Sequence, residues 1–139
     1  MKIMSVDYGD ARTGLAVCDK TEFLASPLTV INEYNADRCA EKIAGYVKSE
    51  KPELIVVGLP KNMDGTEGDR AEKCRGFGKL ISEKTGVEVV MWDERCTTVS
   101  AHQILNETNV RGKKRKAVVD AVAAVIILES YMEFRKNSK

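Results

Sequence analysis

Apolar positions along this chain follow two different periods, and the changes of period mark the elements. From Lys2 to Asp7 and again from Thr13 to Asp19 the pattern predicts short strands, joined by Tyr8-Gly9-Asp10-Ala11-Arg12, a Gly-containing turn of hairpin type. A third strand around Pro27 to Ile31 would complete an antiparallel meander. At Ala36 the period becomes helical: Ala36, Cys39, Ala40, Ile43, Ala44 and Val47 form an amphipathic stripe, with Asn35 as its cap. Leu54 to Val57 is a continuous apolar run between Pro52 and Gly58, the signature of a buried parallel strand.

The segment Gly58 to Gly68 reads as a loop, and a helix is predicted from about Asp69 to Thr85, with Thr66 and Asp69 spaced as a capping box. Val87 to Trp92 is the next strand. Thr97 or Thr98 then caps a helix bearing Ala101, Ile104 and Leu105, and a final helix runs from about Arg115 to Phe134, with Arg135 to Lys139 as a frayed end. A meander followed by alternating strand and helix predicts an α/β domain: a mixed sheet with helices on its faces. Ligands of such sheets sit at the carboxyl ends of strands, where Asp7, Gly58 and Asp93-Glu94 all fall.

With 139 residues the chain suffices for one domain with a real core, residues 1–139, and 43% hydrophobic against 31% charged residues leaves no linker-like stretch. The longest apolar run, Ala121 to Leu128, is too short to span a bilayer, and no signal-peptide layout precedes the first strand, so a cytoplasmic location is expected. Cys18, Cys39, Cys74 and Cys96 show no C-x-x-C pair, and His102 is the sole histidine. That composition argues against structural zinc and for reduced thiols in or near the core.

Acidic positions carry the candidate chemistry. Asp7 ends the first strand, Asp93-Glu94 ends a late one, and Asp120 stands in an almost wholly apolar helix. An ionised carboxylate in such a helix needs a metal, a cation or a proton, and Lys116 one turn earlier is the alternative cation. Collected together, these acids suit an oxygen-rich Mg²⁺ or Mn²⁺ centre for phosphodiester hydrolysis. Asp7 could instead cap the turn that follows it, and Gly9 would admit a phosphate or metal close to the backbone. Neighbouring side chains on a strand point to opposite faces, so one of Asp93 and Glu94 faces the site; parity leaves open which. The net charge is only +1, but Arg111, Lys113, Lys114, Arg115 and Lys116 form a dense block immediately before the helix of Asp120. Such a block either holds a polyanion or serves as a solvated loop.

Val6-Asp7-Tyr8-Gly9 with Arg12 and Gly14, Gly58-Leu59-Pro60 with Asp64-Gly65-Thr66, Asp93-Glu94-Arg95 with Thr97-Thr98, and Lys114-Arg115-Lys116 followed by Asp120 and Ala123-Ala124 together resemble the YqgF family over nearly the whole chain. The resemblance implies a ribonuclease H-like fold related to Holliday junction resolvases, with a five-stranded mixed sheet and helices on both faces. It implies a nuclease that trims the 5′ end of precursor 16S ribosomal RNA, with Asp7, Glu94 and Asp120 as catalytic and metal-binding acids. Arg12, Asn62, Arg95, Lys113, Lys114, Arg115 and Lys116 are then the residues expected to grip nucleic acid, joined by the amides of Asp64 to Gly68. Asp10 departs from the family pattern, as an extra acid that either attracts another cation or lies idle. No fourth acid stands one turn beyond Asp120, where the residue is Ala124.

Two other classes use the same features. A junction-resolving DNA nuclease would act as a homodimer to make paired cuts on branched DNA, whereas the RNA-processing enzyme works as a monomer or homodimer. A nucleic-acid-binding protein without catalysis would keep the basic block alone. The sequence offers no aromatic platform for stacking single-stranded bases.

Overall fold

The computed structural model describes residues 1–22, 24–61, 64–93 and 112–137, with side chains in the last stretch described over 122–136. Strands β1 (Ile3–Asp7), β2 (Arg12–Cys18) and β3 (Ala25–Asn32) precede helix α1 (Ala36–Glu50). Strand β4 (Leu54–Leu59), helix α2 (Asp69–Thr85), strand β5 (Glu88–Asp93) and helix α3 (Gly112–Asn137) follow. The five strands are ordered β3-β2-β1-β4-β5. The meander pairs antiparallel, while β4 runs parallel to both β1 and β5.

Alternation along β1 shows how the two faces are built. Met4 and Val6 join Leu15, Ile43, Val57, Phe77 and Ile81 in the core beneath α1 and α2. Ile3 joins Ala16, Val56, Ala124, Ile127 and Leu128 beneath α3. Helices thus cover both faces, and β4, buried at every position, needs its unbroken apolar run for that reason.

Local rules account for most boundaries. The Asn35 side chain accepts from the Arg38 amide at 3.0 Å and caps α1 as expected. Pro27, opposite Ala16 where the register shifts, is tolerated because β3 is an edge strand.

Three expectations fail. The capping box before α2 does not form: Gly68 is the N-cap, and both the amide and hydroxyl of Thr66 donate to Asp64 Oδ1, at 3.0 and 2.6 Å. The reason is that a nearby Asp side chain outcompetes the more distant helix end. The last helix begins at Gly112 and not at about Arg115, so Lys113 and Lys114 also lie in its first turn and the solvated-loop alternative for the basic block falls away; Lys and Arg are good helix formers. Nor is the carboxyl end frayed at Arg135, whose Nε donates to Glu22 Oε1 at 2.8 Å. With the N-terminal ammonium at 3.0 Å, that guanidinium holds the Glu22 carboxyl below its ordinary range and docks α3 on the turn between β2 and β3.

Cys18, Cys39 and Cys74 are buried in the core and form no disulfide with one another; Cys96, His102 and the helix expected after Thr97-Thr98 lie outside the described residues. Among the described residues no helix is long and apolar enough to cross a membrane.

Candidate active site at the carboxyl edge of the sheet

Asp7 is the last residue of β1, half-buried, and shares the parity of Ile3 and Ser5, which belongs to the α3 face. The fully buried Ser5 hydroxyl donates to the Ala124 carbonyl at 2.6 Å and pins α3 across this strand. Ala124 is itself fully buried, and its small side chain permits the approach. Asp120 lies in α3 one turn before that contact; its side chain is outside the described set.

β5 ends on Asp93, and its alternation shows which face that acid belongs to. Val90 and Trp92 pack with α3, and Trp92 Nε1 donates to Ser130 at 3.1 Å. Val89 and Met91 pack with the α1 and α2 core. Asp93, paired with Leu59, has the parity of Met91 and belongs to the face opposite α3. Asp93 is therefore not on the face that carries Asp7. Glu94, Arg95 and Asn62 lie outside the described residues. Among the described residues, no three acidic, cysteine or histidine side chains gather as a metal site.

Arg12 opens β2 and, two residues before Gly14, has the parity of Ala16 and Cys18, hence the face of Asp7. Gly14 pairs directly with Asp7 and brings no side chain against it.

The turn between β1 and β2 is held from several directions. The Gly9 amide donates to Thr13 Oγ1 at 3.3 Å, so it is this hydroxyl that takes the amide. A Cβ on Gly9 would lie 2.1 Å from the Arg12 carbonyl oxygen, so closure of the turn already requires glycine there. Arg70 of α2 donates through Nη2 to the Tyr8 carbonyl and through Nη1 to Asp10 Oδ1 at 2.9 Å. Lys73 Nζ stands 3.9 Å from the same carboxylate oxygen. Asp10 is thus neither idle nor awaiting a foreign cation, since it anchors the turn to α2.

Sequence reading missed Arg70, although the unusual acid at 10 and cations three residues apart on one helix were the available signals. Arg70→Met should lower cleavage roughly tenfold, because a small displacement of a positioned group is costly. Stability should fall by only about 1 kcal/mol, given solvent screening of this exposed pair. Asp10→Ala should do less, and little more in combination, as a double-mutant cycle would show; additive losses would count against the shared anchor.

The sheet order, with its antiparallel meander, parallel extension and α3 against the face that carries Asp7, is a ribonuclease H-like fold of the resolvase kind. Thermus thermophilus RuvC in complex with Holliday junction substrate superposes with TM-score 0.65 at 15% identity, covering 99% of this chain and 97% of that one. The Fowlpox virus resolvase, in complex with its Holliday junction DNA, superposes with TM-score 0.55 at 15% identity, over 97% and 99%. At such identity the likeness is one of fold.

The profile of the RuvX family, described as Holliday junction resolvase, matches residues 1–134, and the chain belongs to that family. A relative from Halothermothrix orenii, named as a candidate pre-16S rRNA nuclease, is 44% identical over 137 residues, 99% of this chain and 98% of its own length. One from Clostridioides difficile with the same name is 41% identical, over 99% and 97%.

Proposed function

We propose that this protein is a metal-dependent endonuclease that processes the 5′ end of precursor 16S ribosomal RNA in the cytoplasm, as a monomer or homodimer. The observation that carries the reading is the Ser5 to Ala124 contact, which brings the strand ending in Asp7 against the helix bearing Asp120. Position 120 lies one helical turn before Ala124 in α3. The RNA substrate follows the name shared by relatives at 44% and 41% identity.

Asp7 fits a hard cation: it offers carboxylate oxygens at a half-buried strand end, paired in the sheet with Gly14. Asp7, Glu94 and Asp120 would hold Mg²⁺ or Mn²⁺, with Glu94 chosen over Asp93 because Asp93 belongs to the other face. When bound, the ion supplies activation of water and neutralisation of the leaving oxygen.

The chain's own cations do the gripping. Arg12 lies one strand from Asp7, and Lys113, Lys114, Arg115 and Lys116 crowd the start of α3 with no acid in its first turn. Cations at the positive end of a helix are unfavourable by about 0.3–1 kcal/mol each, a broken local rule that bound phosphates would offset. Asn62 and Arg95 complete the proposed phosphate contacts.

The family description favours a second reading, a resolvase of branched DNA working as a homodimer. Cleavage of a 5′-extended ribosomal RNA precursor and of a four-way DNA junction, with Mn²⁺ or Mg²⁺ against chelator, separates the two. Metal-dependent removal of the RNA extension by wild type, lost in a folded Asp120→Asn, is expected. Selective junction cutting would transfer the assignment to the resolvase, and binding without cleavage of either would leave a binding protein.

A further inference from the structure

Only 6% of the residues are aromatic, and they are scattered in sequence, yet three of them meet at the carboxyl edge of the sheet. Tyr8 follows Asp7 directly and lies on the opposite face, packed with the α1 and α2 core. Its ring stacks on buried Phe77 at a centroid distance of 3.9 Å and an angle of 10°. Tyr34, between β3 and α1, is 85% exposed. These three, with Asp10, Ala36, Lys73, Gly76 and Leu80, line a cavity of about 400 Å³. That volume lies in the range of small-molecule sites, about 300–1,000 Å³.

The polar groups of the cavity are few and mixed. Asp10 is partly neutralised by Arg70 and Lys73 but keeps a carboxylate in the wall that can accept from an exocyclic amine. Lys73 is exposed and can meet a phosphate. Gly76 leaves the floor open, since a Cβ there would have no neighbour within 4 Å. An aromatic wall with an exposed tyrosine, one cation and one acceptor suits a nucleobase with its phosphate better than an apolar peptide.

We propose that this cavity binds one unpaired nucleotide of the RNA strand next to the bond cut at Asp7, the base stacking on Tyr34 against the Tyr8–Phe77 wall. The proposal rests on the nuclease reading above and adds to it the requirement for single-stranded RNA beside the cut. The strand passes over the tip of β1: its scissile phosphate lies by Asp7 on the α3 face, and a neighbouring base enters the cavity on the other face. A base held in a duplex must first be unstacked and unpaired, so an already single-stranded base is favoured there.

The test measures binding of a labelled ten-nucleotide single-stranded RNA and of an RNA duplex by anisotropy, beside cleavage of the ribosomal precursor. Tyr34→Ala and the cavity-filling Gly76→Leu should each weaken single-strand binding roughly tenfold and spare the duplex, while Tyr34→Phe stays near wild type. Gly76→Leu also replaces a helical glycine in open space, so its melting temperature should not fall and misfolding is controlled. In an RNA scanned with single abasic sites, one position should erase the difference between wild type and Tyr34→Ala. Equal single-strand affinity in all variants, or equal losses on duplex, would overturn the cavity assignment. A wild type that binds no RNA at all would overturn the RNA-processing reading itself, and the cavity assignment with it.

Discussion

Asp7→Asn is expected to reduce metal-supported cleavage on the order of a thousandfold or more, with no loss of folding. The substitution keeps shape and hydrogen-bonding capacity at the end of β1 but removes the charge a divalent cation needs. In the proposed site, several kcal/mol of transition-state stabilisation would depend on that charge, at tenfold in rate for each 1.4 kcal/mol or so. Acids of the proposed site would repel one another without a cation, so stability of the metal-free protein should hold or rise. The effect belongs to Asp7 and not to the strand, since the buried core residues Ile3, Met4 and Val6 hold β1 in place. Cleavage rates with a parallel Mn²⁺ titration by electron paramagnetic resonance would decide it. A variant that cuts at the wild-type rate, or binds Mn²⁺ as tightly, removes Asp7 from the metal site.

Gly9→Ala should damage both stability and catalysis through the backbone. The new Cβ would come within 2.1 Å of the Arg12 carbonyl oxygen, a backbone atom that cannot swing aside as a side chain would. The turn must open, at a cost of about 1–3 kcal/mol in the range of overpacked sites. Asp7, two residues away, moves with it, and a shift of about 1 Å in a catalytic group can cost a hundredfold in rate. Gly45→Ala in α1 is the control, because an added Cβ there meets nothing within 4 Å and helix propensity favours alanine by about 1 kcal/mol. Thermal melts should move in opposite directions for the two variants. A Gly9→Ala protein that melts and cleaves as wild type would show that the turn adapts freely.

Most of the fold was legible because its elements are local statements. The stripe from Ala36 to Val47 and its Asn35 cap appear in α1 as read, and the run from Leu54 is the buried parallel β4. Errors fell where a local signal had a competitor. Thr66 matched a capping pattern, but Asp64, two residues away, captured it first. The last helix was expected from about Arg115, yet the helix propensity of Lys113 and Lys114 and the apolar residues further on carry its start back to Gly112.

What the sequence determined by itself was the α/β class, the family, and the residue types that make divalent-metal chemistry reasonable, since each depends on periodicity and motif spacing along the chain. Tertiary structure alone decided which groups share a face. It set Asp93 on the opposite side from Asp7, joined Asp10 to Arg70 and Lys73 across some sixty residues, and assembled Tyr8, Tyr34 and Phe77 into a cavity wall where the sequence had suggested no aromatic platform. Side-chain parity and local propensity are properties of one segment. Proximity between segments exists only after the sheet order and the packing of α1, α2 and α3 have been chosen, and that choice is made by burial of the whole apolar surface at once.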